Sequence, residues 1–366
     1  MLFISREGLF LHVSPPSSMG RPVRRLLAAT RLVACLLALV ASPGMAQALA
    51  DTHHAHHSSH RHKTRKHKRP AAPKPALAVS AGSLGAHSLL MPDQPYPLRE
   101  WDGTSAALDA EAKSRKPAWL AVMVNNTLGI AACRSGLAQP LPPAPAGQNA
   151  RTGVTPCAIP AGEESIVLAW DRNRLGDAAP DWGDFWDIAR HPGKRALRMD
   201  PRGTLEIALM ADGVSSDDIY ALLATPAGID RAFHKLDQLR PYLVWWRTPS
   251  EATRIMKSGA ALMLATPHDR LATLGNKASG DKASFSAQWR QSLRQKLSWI
   301  VLRNVPPEQR SAVVAMLRDQ TPVHDDTQDA PQNGQALHIL AIDDGFWADR
   351  HDALLKRFQS WLTSQP

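Results

Sequence analysis

Histidine is the chemistry-bearing residue that crowds most densely in this 366-residue chain, and the crowding is local. Residues 51–76 read DTHHAHHSSHRHKTRKHKRPAAPKPA and hold seven of the 15 histidines. The imidazoles of His53, His54, His56, His57, His60 and His62 could share a Zn²⁺, Ni²⁺ or Cu²⁺ ion. The run has no Cys and only one carboxylate, Asp51 at its start, so nothing fixes a coordination geometry, and Lys and Arg interleave with the rings. The plainer reading is a disordered basic linker, because such a composition cannot bury apolar surface. His191, His234, His268 and His338 are scattered without ligand-like spacing. The chain has no G-x-S-x-G, phosphate-binding loop, H-E-x-x-H or C-x-x-C. Nothing assembles a nucleophile, a base and an oxyanion site, so the chain reads as a non-enzyme without a cofactor.

Elements that could position a ligand centre on Trp182–Gly213, WGDFWDIARHPGKRALRMDPRGTLEIALMADG. An aromatic-acidic helix signal runs into the breaker Pro192-Gly193. A short strand with basic edges follows, Arg195–Met199, then a polar turn, Asp200–Gly203. A helix begins near Thr204 and stops at Gly213. Strand, polar turn and helix form the unit with which α/β proteins present small ligands at strand ends. Around it, helices are predicted over 105–116, 127–135, 228–239, 249–257, 307–319 and 346–362. Strands are predicted over 119–124, 166–170, 242–246, 260–265 and 297–302. Strands alternating with helices point to an α/β fold.

Charge is distributed unevenly. Residues 1–80 hold twelve of the 43 Lys and Arg but two of the 33 Asp and Glu, so the body beyond is neutral. The basic balance therefore gives no case for a nucleic-acid partner. Residues 1–50 read as a secretory leader. Arg21, Arg24 and Arg25 lie before an apolar run, Leu32–Val40, and a small-residue cleavage site lies at Ala46–Ala48 or Ala48–Ala50, with Met19 as the start. A lipoprotein box at Leu32–Cys35 is the rival reading, weakened because most of the apolar run follows Cys35.

The wording Asp184-Phe-Trp-Asp187, then Pro192–Arg198, then Thr204–Gly213 resembles the periplasmic solute-binding proteins of ABC transporters. The likeness is to extracellular solute-binding protein family 1, in particular its spermidine/putrescine type. It continues through Thr225–Trp246 (TPAGIDRAFHKLDQLRPYLVWW) and Phe346–Leu362 (FWADRHDALLKRFQSWL), and spans about residues 118–366. The resemblance implies a two-lobed type II periplasmic-binding fold, each lobe a mixed sheet flanked by helices. Its first lobe would comprise 83–170 and 275–366 and its second 171–274, with 51–82 as linker. It implies a periplasmic monomer that captures a small cationic, polyamine-like solute and delivers it to an inner-membrane permease. Both Cys133 and Cys157 stand where the family often carries cysteine, which suggests one disulfide in an oxidising compartment, against two buried free thiols.

Family sites hold amines with carboxylates and aromatic faces. That places Glu164, Asp200, Trp245, Trp246, His268 and Asp269 in the candidate site. Only one of the two tryptophans can line a cleft, since neighbouring strand residues face opposite sides. The departures matter as well. Thr266–Arg270 replaces an aromatic-Asn-Gly-Arg run, Glu163-Glu164 replaces an aromatic, and the family's first strand is missing, so the first lobe is expected to be incomplete. A degenerate relative, acting at the envelope or on metal through its histidine tail, is the alternative those departures leave open.

Overall fold

Residues Ala76–Ser80, ALAVS, form a strand (β1) inside the range expected to be linker. It lies parallel to Leu98–Trp101 (β2) on one side and Trp119–Asn125 (β3) on the other. The expectation of an incomplete first lobe is thereby corrected. Five residues, four of them apolar, directly after a Pro- and Lys-rich run are too few to show a period, which is why the strand reads as linker. The computed structural model describes residues 75–80, 95–143, 155–176, 179–272, 274, 284–319 and 336–364. The expected leader and the histidine run lie outside them.

Helix Ser105–Ala112 (α1) precedes β3, and helix Asn126–Arg134 (α2) follows it directly. Each starts on a side-chain cap, Thr104 accepting from the Ala107 amide and Asn125 from the Leu128 amide. The long strand Ala158–Asp171 (β4) comes next, then Arg172–Leu175 (α3), Trp182–Trp186 (α4) and strand Arg195–Arg198 (β5). Helices Pro201–Ala211 (α5), Ile219–Leu223 (α6) and Pro226–Leu239 (α7) lead to strand Leu243–Trp246 (β6). Helix Pro249–Ser258 (α8), strand Met263–Pro267 (β7) and the short helix Asp269–Ala272 (α9) follow. A second long strand, Phe285–Ile300 (β8), is succeeded by helix Pro307–Asp319 (α10), the strand Leu340–Ala341 (β9) and helix Asp344–Thr363 (α11).

The strands make one mixed sheet in the order β2-β1-β3-β8-β4-β7-β5-β6, with β9 on β8. Parallel groups at each end are joined by the antiparallel pair β4 and β8. Those two strands run through both halves. Ala158–Ile166 lies opposite Leu293–Ile300, and Leu168–Asp171 lies opposite Phe285–Gln288. The sequence yields only their apolar ends, because their remaining residues mix Gln, Arg, Ser and Glu with buried Trp289, Leu293 and Ala161.

Helices cover both faces, as the apolar runs of the inner strands require. In the first half, β1 turns Leu77 and Val79 toward α10 and Ala78 toward α1 and α2. In the second half, α8 covers one face through Ala252, Ile255 and Met256, while α5, α7 and α11 cover the other. A disulfide joins Cys133 at the end of α2 to Cys157 just before β4. By chain entropy a loop of this length contributes about 3 kcal/mol.

One further placement differs from expectation. Helix α11, assigned by sequence to the first lobe, packs Trp347, Leu354 and Phe358 into the core of the second half. The ring of Trp245 meets Phe358 and Trp361 edge-on, at 5.5 and 6.1 Å between centroids. Arg357 bonds Asp230 on α7 at 2.6 Å, and the Trp361 indole bonds Asp237 at 2.7 Å. The N-terminal part of α11 also reaches α2, through Thr127 to Asp344 at 3.0 Å and Arg134 to Asp349 at 2.6 Å.

Candidate functional site

The polar turn after β5 is the pivot of the site. Arg195 and Leu197 turn to one face of that strand, and Ala196 and Arg198 to the other. Arg195 is fully buried and donates to the backbone carbonyls of Phe185, Gly193 and His191 at 2.6, 2.9 and 2.7 Å. It therefore fixes the loop that enters the strand, and burial lowers its pKa to about 10. Asp200 then caps the turn, accepting from the Arg202 amide at 2.9 Å. Gly203 has φ of 84°, a left-handed conformation that favours glycine, so regular helix starts at Thr204.

Arg198 lies over the Trp246 ring, 5.9 Å from its centroid, where β5 and β6 pair. Among the described residues its guanidinium has no ion pair. It lines two adjoining cavities that also share Gly103, Asn125 and Leu128. The inner cavity, of about 40 Å³, is bounded by Trp101, Asp102, Glu164, Trp246 and Gln295. That is room for water and not for a solute. The outer cavity measures about 330 Å³ and lies between α1, α2, the Asp200 turn and α11. Its size is at the lower end of small-molecule sites.

Under the cavities runs a chain of buried polar contacts. Arg202 donates to Gln295 Oε1 at 2.8 Å, and Gln295 Nε2 donates to Glu164. All three residues are at most 5% exposed. Burial lowers the Arg202 pKa, and the Arg198 charge adds to that; Asp344, Asp200 and Glu206 act against them. Glu206, also buried, accepts from the Gly203 amide at 2.8 Å, the Tyr220 hydroxyl at 2.9 Å and the Trp347 indole at 2.6 Å. Burial raises its pKa.

On the wall of the outer cavity, His351 Nε2 of α11 lies 3.4 Å from Asp200 Oδ1. Burial pushes the Asp200 carboxyl up, but the His351 hydrogen bond, the charges of Arg198 and His351 and the Arg202 amide outweigh it and bring the pKa to about 2. For His351 burial acts downward, and Asp200 and Asp352 together raise the ring above its ordinary value.

The structure brings Glu164, Asp200 and Trp246 to these two cavities. Trp246 is 2% exposed, with its indole bonded to the Ala265 carbonyl at 3.1 Å. Trp245 faces α11 instead. His268 lies elsewhere, its ring tilted against the Trp289 ring with centroids 4.3 Å apart, in a groove of about 420 Å³ with Trp170 and Phe285. Asp269 opens α9 and lines none of the three. Reading from sequence missed Arg198, Gln295 and His351. A signal existed for His351, which stands four residues after Trp347 and so shares its helix face. The six histidines from His53 to His62 lie outside the described residues, and among those residues no three of His, Cys, Asp and Glu gather as a metal site.

Comparison with known proteins agrees with this architecture. Residues 97–318 match the family described as bacterial extracellular solute-binding protein. A gamma-aminobutyric acid-binding protein of Pseudomonas aeruginosa is 31% identical over 290 residues, covering 72% of this chain and 81% of the relative. Among solved structures, an ABC transporter substrate-binding protein from Bradyrhizobium japonicum superposes with a TM-score of 0.64 at 22% identity, covering 80% of this chain and 100% of that one. The PBP MotA from A. tumefaciens B6, in complex with glucopine, gives 0.66 at 21% identity, covering 79% and 99%.

Proposed function

This chain belongs to the bacterial extracellular solute-binding proteins, and from that premise we propose that it is the periplasmic receptor of an ABC transporter for a small amino-acid-like zwitterion. The observation that carries the choice of solute is Arg198, a guanidinium over an aromatic ring with no carboxylate at ion-pair distance among the described residues. A fully cationic polyamine would meet it with repulsion. A carboxylate would meet it with a charge-assisted pair, bidentate where the geometry allows. Asp200 supplies the opposite charge across the same cavity, and its low pKa keeps it ionised at any physiological pH. The gamma-aminobutyrate named for the 31%-identical relative is a molecule of this type, which supports the reading.

The inner cavity is too small for such a solute, so the outer one takes it, with the two halves of the sheet parting and closing around it. The strands β4 and β8 are the natural hinge for that motion, because they are the elements common to both halves. The permease is the partner to which the loaded protein docks. With β1 in the sheet, the degenerate reading loses one of the departures on which it rested, the missing first strand.

Calorimetric titration with γ-aminobutyrate, α-amino acids, putrescine, spermidine and butyrate tests the proposal. Amino acids should bind, and Arg198→Gln should weaken them about 10- to 100-fold, the loss of one hydrogen-bonded charge pair. Putrescine binding that equals theirs and improves in Arg198→Gln would overturn the zwitterion in favour of a cationic solute.

A further inference from the structure

We infer that capture of a solute's ammonium group at Asp200 drives a proton off His351, so that binding is coupled to proton release. The inference rests on the zwitterion reading above and adds a residue that reading does not use. Three observations carry it.

First, His351 and Asp200 line the same 330 Å³ cavity and face each other, with Nε2 3.4 Å from Oδ1. Oδ1 also takes the Arg202 amide, while no described residue donates to Oδ2. The second oxygen is thus the one an incoming ammonium would reach.

Second, the ring cannot easily swing away. One helical turn earlier Trp347 is fully buried, and its indole is bonded to Glu206 at 2.6 Å. Three residues after His351 the helix returns to the core at Leu354 and then Phe358. With its backbone held on both sides, His351 answers an added positive charge by changing protonation more readily than by leaving.

Third, the neighbouring charges leave histidine as the group that gives way. Arg198 from β5, Arg202 from the turn and Arg247 after β6 line the cavity, as does Asp352 of α11, whose Oδ1 is 3.6 Å from His351 Nδ1. The residues that α1 and α2 contribute, among them Thr104, Ser105, Thr127 and Leu128, carry no charge. An ammonium added to this set compensates the Asp200 charge that holds the imidazolium. The arginines cannot deprotonate near neutral pH, and an imidazolium can. The proton passes from Nε2 to buffer, while Asp200 remains a carboxylate and the solute keeps its ammonium. The direction of the His351 shift, upward in the empty protein because of Asp200 and Asp352, agrees with this.

Two experiments on the whole protein test the coupling. In the first, His351 is titrated by imidazole NMR without ligand. Asp200→Asn should lower its pKa, and an unmoved titration refutes the pair whatever the ligand. In the second, γ-aminobutyrate is titrated calorimetrically at pH 7 in phosphate and in Tris, buffers of different ionisation enthalpy. The two heats should differ by up to one released proton, and affinity should rise with pH by at most about tenfold per unit. His351→Gln should bind without proton release and with affinity independent of pH, and butyrate, lacking the amine, should release none. Equal heats in both buffers, or release that persists in His351→Gln, would sink the inference. Should no amino acid bind at all, the zwitterion reading falls and takes this one with it. An NMR coupling intact beside that failure would place the error in the choice of solute, not in the pair.

Discussion

Gln295 sits at the point where the long strand β8 passes under the cleft, and replacing it with Met isolates what its amide contributes. The two side chains are of similar length and neither branches before its third side-chain atom, so packing is disturbed little. What is lost is specific. Arg202, 4% exposed, loses the acceptor at 2.8 Å, and Glu164, 5% exposed, loses the Gln295 donor. A hydrogen bond to a charged group is worth about 1.5–3 kcal/mol, so two of them make about 3–6 kcal/mol. The apolar methionine returns about 1 kcal/mol by burial. The net expectation is about 2–5 kcal/mol, a large share of the roughly 5–15 kcal/mol that holds a protein folded. Urea denaturation of both proteins measures it, with m-values compared to confirm that the same surface is exposed on unfolding. A loss below about 0.5 kcal/mol would refute the argument. It would mean that water already satisfies Arg202 and Glu164, and that the buried chain across the hinge is not a structural link.

Two other perturbations follow from single positions. At Gly228 on α7 an added Cβ would stand 2.1 Å from the Leu222 carbonyl oxygen and 2.5 Å from its carbon. Backbone cannot deflect as a side chain can, so Gly228→Ala should cost about 3 kcal/mol, at the upper end of overpacking, as read by thermal unfolding. The Asp200 carboxyl falls from 3.8 to about 2 on folding, so its contribution is present above the unfolded value and is lost as pH falls from about 4 toward 2. It amounts to roughly 2 kcal/mol. Asp200→Asn should therefore flatten the stability profile across that interval, and an unchanged acid limb would contradict the Asp200–His351 contact.

Much of the second half was legible because its signals are local. The turn Asp200–Gly203, the helix start at Thr204, and the proline-started helices at Pro249 and Pro307 are all set by residues within a few positions of one another. What escaped is what tertiary partners decide. The strand Ala76–Ser80 is too short to carry a period and is a strand only because β2 and β3 flank it. The polar halves of β4 and β8 are strands because each covers the other. At the site, Asp200, Glu164 and Trp246 were legible as acids and aromatics in the right places. Arg198 was visible only as the basic edge of a strand, and nothing in the one-dimensional pattern says that it has no directly paired carboxylate. His268 and Asp269 were carried over from a family position, and the turn after β7 directs them elsewhere.

The sheet order also dictates a timetable for folding. Residues 182–272, which supply β5, β6, β7 and their helices, make most of their contacts with one another and can assemble as soon as they are present. The other end cannot. Val122 of β3 lies opposite Ile300 of β8, so the inner edge of the first half stays unpaired until nearly the whole chain is available. Long-range pairing of this kind is slow, because loop closure must precede the contacts that reward it. The first half therefore cannot be completed until the last third of the chain arrives. Pulsed hydrogen exchange during refolding would show β5 to β7 protected first and β1 to β3 protected only together with β8.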